Sequence, residues 1–297
     1  MNIKLIGYSL VGISGILFGL IIFGGKVFSN LGLSLFELST LPYIFSLFFL
    51  FPFIIQKKYW VSKKDFPLLL WYGLVEASCS FLQFAGLIFG VPVAVVVLLL
   101  YVQPLWTTII SFFFLKEKVT RWHVVACFVV ILGVVFLVNP SDLFVSSSFF
   151  GLFLALLAGV FLSLWVVMGS IASKRKINPL SIKFFVDLFG LVLLFLIFPV
   201  LKMIFSDPQV VGFSLEWPLW IWGALLMFNL FAITLGHILY YKGVKLVPTA
   251  SAGILLLLEP IVATLLAAVF LAQPITINIL FGGIFIILGN ALVILKC

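Results

Sequence analysis

Charge is what this chain has least of. Asp, Glu, Lys and Arg make up 9% of its 297 residues, against about 25% in a typical water-soluble domain. That scarcity excludes an ordinary soluble globular protein. Cysteine is almost as rare. Cys79, Cys127 and Cys297 show no CxxC and no metal-ligand spacing, so neither a disulfide framework nor a thiolate metal site is expected, and the first two read as small core residues. HExxH and the nucleophile elbow are both missing. The stretch "GLIIFGGKV" lacks the spacing and the Ser/Thr of a phosphate loop. No segment resembles a selectivity filter, which argues against a channel. The chain is therefore read as no enzyme, with no catalytic residue, metal ligand or cofactor.

What remains is apolar. Hydrophobic residues form 65% of the chain, and the mean hydropathy is +1.39. A membrane helix needs about 20 apolar residues. Runs of that kind fall at about 5–24, 36–55, 66–90, 92–115, 122–138, 149–171, 180–205, 217–241, 248–271 and 275–295. They are apolar on all sides, unlike the alternating strands of an outer-membrane barrel. The expected class is an all-α polytopic membrane protein of about ten transmembrane helices. The first run has no small-x-small cleavage site and reads as a retained span, not a signal peptide.

The net charge of +8 belongs to topology, not to a nucleic-acid partner. With the N-terminus in the cytoplasm, the alternating connections place fifteen of the 17 basic residues on that side, leaving only Lys26 and Lys202 opposite. This is the positive-inside pattern. It predicts a multi-pass protein of the cytoplasmic membrane with both termini inside.

The chain also repeats itself. "VPVAVVVLLLYVQPLWTTIISFFFLKEKVT" (Val91 to Thr120) aligns without a gap on "VPTASAGILLLLEPIVATLLAAVFLAQPIT" (Val247 to Thr276), at an offset of 156 that also pairs Gly133 with Gly289. Nearer the start of each half, Gly7 pairs with Gly151 and Gly15 with Gly159. Halves 1–138 and 149–297 each hold an odd number of spans, about five, so the second crosses the membrane upside down relative to the first. Inverted repeats are typical of secondary transporters, whose solute site lies near the midplane between the repeats.

These residues resemble a known family. "VPxA…PLW…FFFLKEKVT" followed by "ILGVVFLVNP", and "LYYKGVKLVPTASAGILLLLEPIVATLLAAVFL", are similar to the first and second EamA repeats of the drug/metabolite transporter superfamily. The resemblance implies two inverted five-helix repeats, a cavity lined mainly by helices 1, 3, 4, 6, 8 and 9, and secondary transport of metabolites or amphipathic organic compounds. The family often has an acidic residue in the loop before the last helix; this chain has Gln273.

A polar group in the middle of a span is expected to face a cavity or a partner. Glu259 and Gln103 occupy matching depths, each before a proline. Pro260 and Pro104 have no amide to give the carbonyls of Leu256 and Leu100, which become free acceptors at a bend. Glu76, Ser80 and Gln83 form a polar stripe on one helical face. Asn229 is mid-span, and Trp165, Tyr101 and Trp106 could form an aromatic wall for an amphipathic or cationic solute. The candidate solute-binding set is Glu76, Gln83, Tyr101, Gln103, Trp165, Asn229 and Glu259. For each, a structural kink, a helix–helix hydrogen bond or plain packing is the alternative. His237 reads as an interfacial residue of an aromatic belt, with a proton-linked role as the alternative. Lys183 and Asp187 read as an i,i+4 pair at the membrane interface.

The expected function is a secondary transporter moving a small organic metabolite, such as an amino acid or amine, by alternating access. Glu259 and Glu76 would meet a cationic or zwitterionic group or serve proton coupling. The expected partners are the solute and the lipid bilayer, and the chain is a monomer or homodimer. A lipid-linked substrate flippase, or a non-transporting scaffold of the same fold, is the alternative.

Overall fold

The computed structural model describes residues 3–103, 106, 121–138, 148–175, 177–246, 255–256 and 258–296. Every regular element among them is helical. The principal helices are α1 (Ile3–Asn30), α2 (Leu35–Ile54), α3 (Phe66–Ile88), α4 (Val93–Leu100), α5 (Arg121–Val138), α6 (Ser148–Lys174), α7 (Pro179–Ile204), α8 (Leu219–Gly243), α9 (Leu258–Phe270) and α10 (Ile277–Lys296). Six described segments are long and apolar enough to cross a membrane, and α9 and part of α10 are shorter apolar helices. The exterior carries many large apolar side chains. Phe128, Leu196 and Val269 are each about two-thirds or more exposed, an outer surface suited to lipid and not to water.

Three boundaries differ from expectation. Helix α1 continues past residue 24 to Asn30 because Phe28 is buried in the core, so the Gly24-Gly25 pair does not break it. It ends in a Schellman motif, with Gly32 at φ 105° and the Leu33 N–H bonded to Phe28 O at 3.1 Å. Gly90, at φ 87°, ends α3 in the same way, with Val91 N–H bonded to Gly86 O. Helix α4 stops at Leu100, and Tyr101 leaves helical geometry at φ −79°, ψ 11°. The interruption begins at the carbonyl that Pro104 has no amide to serve; Pro104 itself and residues 107–120 lie outside the described residues. Helix α8 contains a π-helical segment, Asn229–Leu235.

The main helix contacts come in matched sets. Helix α1 packs on α9 as α6 packs on α4, and α3 packs on α6 as α8 packs on α1. The contact of α3 with α7 is mirrored by that of α8 with α2, while α2 with α7, α4 with α9 and α5 with α10 pair across the chain. The close approaches repeat residue by residue. A methyl group on Gly15 would lie 2.9 Å from Leu255 O, and one on Gly159 would lie 3.0 Å from Leu99 O. One on Gly133 would meet Ile286, and one on Gly289 would meet Val130. Leu99 and Leu255, like Val130 and Ile286, are 156 positions apart, the offset of the sequence repeat.

Glu37 ties down the start of α2. Ser34 and Glu37 form a capping box, with the Ser34 N–H donating to Glu37 Oε2 at 2.8 Å and the Glu37 N–H to Ser34 Oγ at 3.0 Å. Glu37 Oε1 also accepts from the Ser214 N–H at 2.8 Å and from the Trp217 indole at 2.9 Å. One buried carboxylate thus joins α2 to the chain leading into α8.

Two stability predictions follow from this packing. Glu37→Ala is expected to cost about 3 kcal/mol, since it strands three donors, one buried and two part-buried, whereas Ser34→Ala costs about 1 kcal/mol as a lost cap. Gly15→Val and Gly159→Val are expected to destabilise by similar amounts, about 1–3 kcal/mol each, through overpacking at equivalent contacts. Thermal unfolding in detergent micelles reads all four; unequal losses at the two glycines would break the equivalence.

Candidate functional site

Two buried polar centres lie among the helices. The first is built on α3. Gly73 lets α3 and α7 close, since a methyl group there would stand 2.6 Å from Val186 O. One turn further along, Glu76 meets the polar face of α7. Lys183 Nζ donates to Glu76 Oε1 at 2.6 Å and lies 2.7 Å from Asp187 Oδ1. Trp165 of α6 donates its indole N–H to Glu76 Oε2 at 3.1 Å. His237 of α8 places Nε2 3.8 Å from Glu76 Oε1 and Nδ1 2.7 Å from Ile233 O. Lys183 and Asp187 have side chains only 1% and 0% exposed.

Aromatic rings surround this centre. Trp165 stacks on Tyr240 with ring centroids 5.1 Å apart, and the Phe18 and His237 rings pack against it. A turn from Glu76, the Tyr72 and Tyr241 hydroxyls meet at 2.8 Å and join α3 to α8. Nearer the start of α3, Arg175 pairs with Asp65 at 3.0 Å.

The second centre lies where α4 meets α9. The Tyr101 hydroxyl is 2.6 Å from Leu256 O and 3.0 Å from Glu259 Oε2. Leu256 O is the carbonyl that Pro260 leaves without an amide donor, so the acceptor expected from the sequence is present and is filled from the other half of the chain. One hydroxyl proton serves two oxygens, and half-buried Glu259 keeps acceptor capacity for a further donor. Among the described residues, the Trp106 indole N–H is buried without a hydrogen-bond partner.

Beyond the second centre is a cavity of ≈ 190 Å³, lined among others by Lys26, Gly90, Pro92, Thr264, Gln273 and Thr276. Gln273 Oε1 accepts the Val93 N–H at 3.1 Å, capping the start of α4. Lys26 Nζ reaches Leu87 O at 3.3 Å.

The structure rearranges several expectations. Lys183 and Asp187 do form an i,i+4 pair, but it is enclosed in protein and joined by Glu76, not set at the interface. His237 is likewise internal, 8% exposed and packed on Phe18. No described ring contact joins Trp165 to Tyr101 or Trp106; the wall beside Trp165 is made by Phe18, Tyr72, Tyr240 and Tyr241. Asn229 is buried, with Nδ2 donating to Pro42 O at 2.6 Å and Oδ1 accepting from Thr234 Oγ1 at 3.1 Å. That i,i+5 bond matches the π-helical register. Gln83 and Gln103 are half-buried on α3 and beyond the end of α4. Spacing alone could have flagged Lys183 and Asp187 as a centre, since both fall inside an apolar run.

Comparison with known proteins agrees with this architecture. The family model described as the EamA-like transporter family matches residues 5–139 and 149–295. An uncharacterized transporter of Clostridium kluyveri is 27% identical over 301 residues, covering 96% of this chain and 91% of that protein. One from Archaeoglobus fulgidus is 26% identical, covering 80% of each chain. The uncharacterized transporter YetK of Bacillus subtilis is 30% identical over 62% of this chain and 56% of its own length. A solved crystal structure superposes with a TM-score of 0.61 over 96% of both chains at 20% identity, a likeness of fold alone. With its apolar exterior, its helices of membrane-spanning length and a family match covering both halves, this multi-pass membrane protein belongs to the EamA-like transporter family.

Proposed function

We propose that the protein is a secondary transporter of a small organic metabolite carrying an amine, such as an amino acid. It would work by alternating access of two inverted five-helix repeats, residues 1–138 and 149–297, in the cytoplasmic membrane with both termini inside. The observation that carries the reading is the Tyr101–Glu259 centre at the contact of α4 and α9. A carboxylate with spare acceptor capacity sits there on the matched helix pair. Glu259 receives the solute's ammonium group, and Tyr101 orients the carboxylate. The Trp106 N–H, without an acceptor among the described residues, supports a polar solute, because an unsatisfied buried donor costs about 1–3 kcal/mol. Gln103 and Gln83 border the same path, and Trp165 closes its far side. Asn229 is assigned instead to holding the π-helical segment against α2.

The cavity beside Lys26 and Gln273 is the route from the outer face. The Tyr72–Tyr241 pair and the Arg175–Asp65 ion pair close the cytoplasmic end. Opening that end requires both contacts to part.

Uptake into proteoliposomes tests the reading, with labelled amino acids, amines and sugars supplied one class at a time. Saturable flux is expected for an amine-bearing class. Glu259→Gln is expected to raise KM about ten- to a hundredfold, in line with the 1.5–3 kcal/mol of a hydrogen bond to a charged group. Tyr101→Phe should raise it less. Folded protein with no saturable flux for any class sinks the carrier, and unchanged flux in Glu259→Gln removes Glu259 from the solute site.

A further inference from the structure

The first centre has one carboxylate more than it has ammonium groups. Glu76 and Asp187 face a single lysine, Lys183, with all three enclosed in protein. Fully ionised, the cluster holds an unbalanced negative charge in a low-dielectric interior. That is costly unless a proton or another cation neutralises it.

The surrounding groups do not supply the missing positive charge. His237 is the other base at hand. Its Nδ1 faces Ile233 O, which only accepts, so Nδ1 bears the hydrogen and Nε2 presents a lone pair toward Glu76. Nε2 stands 3.8 Å from Glu76 Oε1, too far for a hydrogen bond, and a proton there would place a second cation beside the Lys183 ammonium that already holds that oxygen at 2.6 Å. Tyr43 of α2 and Tyr241 of α8 lie within electrostatic range of both carboxylates, and Cys79 and Tyr72 of α3 within range of Glu76. All four are neutral or anionic groups.

Asp187 has the poorest set of partners. Among the described residues, neither of its oxygens accepts a well-aligned hydrogen bond, although Lys183 Nζ is close. Ser46 of α2 lies against it, and its buried hydroxyl likewise makes no well-aligned hydrogen bond among the described residues. Glu76, by contrast, accepts well-aligned bonds from Lys183 and Trp165. A proton added to Asp187 neutralises the cluster, supplies a donor for Ser46 Oγ and leaves Lys183 to Glu76. A sodium ion would have to displace the lysine ammonium from the same oxygens.

We propose that Asp187, with Lys183 and Glu76, is the binding site of a single coupling proton, separate from the solute centre at Glu259 and Tyr101. This rests on the carrier reading for its purpose, but not for its chemistry. In the protonated form the carboxylic acid, the ammonium and the remaining carboxylate sum to zero, and α2, α3 and α7 pack dry. Loss of the proton to water leaves a net negative charge at the α3–α7 contact, which favours a hydrated, open cytoplasmic end. Binding and release involve one O–H bond at Asp187 and no other covalent change.

Infrared difference spectra of the full chain in lipid nanodiscs, titrated with pH and without solute, test the site. The wild type is expected to lose a protonated-carboxyl C=O band as pH rises. Carbon-13 labelling of aspartate should shift that band in the unmutated protein, and Asp187→Asn should remove it. Glu259→Gln should leave it in place. Lys183→Met should raise its intensity roughly twofold, because two carboxylates without an ammonium both take protons. A band that aspartate labelling does not move, that vanishes only in Glu259→Gln, or that sodium removes at constant pH overturns the proposal. Because no solute is present, those results leave the carrier reading to be judged by uptake alone.

Discussion

A lysine held between two carboxylates, away from water, is the constraint on which the rest of this bundle depends. Once charges are enclosed, every remaining lone pair and proton has to be answered. Glu76 brings α3 to the centre, Lys183 and Asp187 bring α7, Trp165 brings α6 and His237 brings α8. The close approach at Gly73 and the ring packing around Trp165 are what make that convergence sterically possible. Four helices are therefore oriented by a single polar centre, and their apolar faces are left to fill the space around it.

The second centre uses a different economy of groups. A proline removes an amide from the backbone of one half, and a tyrosine from the other half occupies the carbonyl left over. The same hydroxyl touches the one carboxylate that α9 carries. An interruption in one helix is thus satisfied by an interruption in its counterpart, since Tyr101 is the residue at which α4 ends.

Local chemistry was legible in the sequence, and relative placement was not. That Pro260 would free Leu256 O follows from the missing amide alone. That Gly133 would match Gly289 follows from the repeat, and the contacts Gly133–Ile286 and Gly289–Val130 reproduce it. The spacing of Lys183 and Asp187 was equally plain. Their enclosure was not, because it depends on which face of α7 turns toward α3. His237 was misplaced for the same reason: nearness to a helix end says nothing of the side to which it points. The S-x-x-E pattern of Ser34 to Glu37 is a readable capping box, but the further donors from Ser214 and Trp217 come from 177 and 180 residues away. The π-helical segment has no signature in hydrophobic periodicity, and its register shows only in the Asn229–Thr234 bond.

The duplicated glycine contacts have a thermodynamic consequence. Where each contact in one half has a twin in the other, exchanging the conformations of the halves breaks and remakes equivalent packing, and the large terms cancel. In the alternating-access cycle proposed above, the free-energy difference between two such arrangements falls to positions where the copies disagree, among them the charged Glu76–Lys183–Asp187 centre, Glu259 against Gln103, and the loop Lys116-Glu117-Lys118 against Ala272-Gln273-Pro274. A difference of about 1.4 kcal/mol at such a position is a tenfold change in populations. In that proposed cycle, a small number of unmatched side chains is enough to decide which arrangement is occupied at rest.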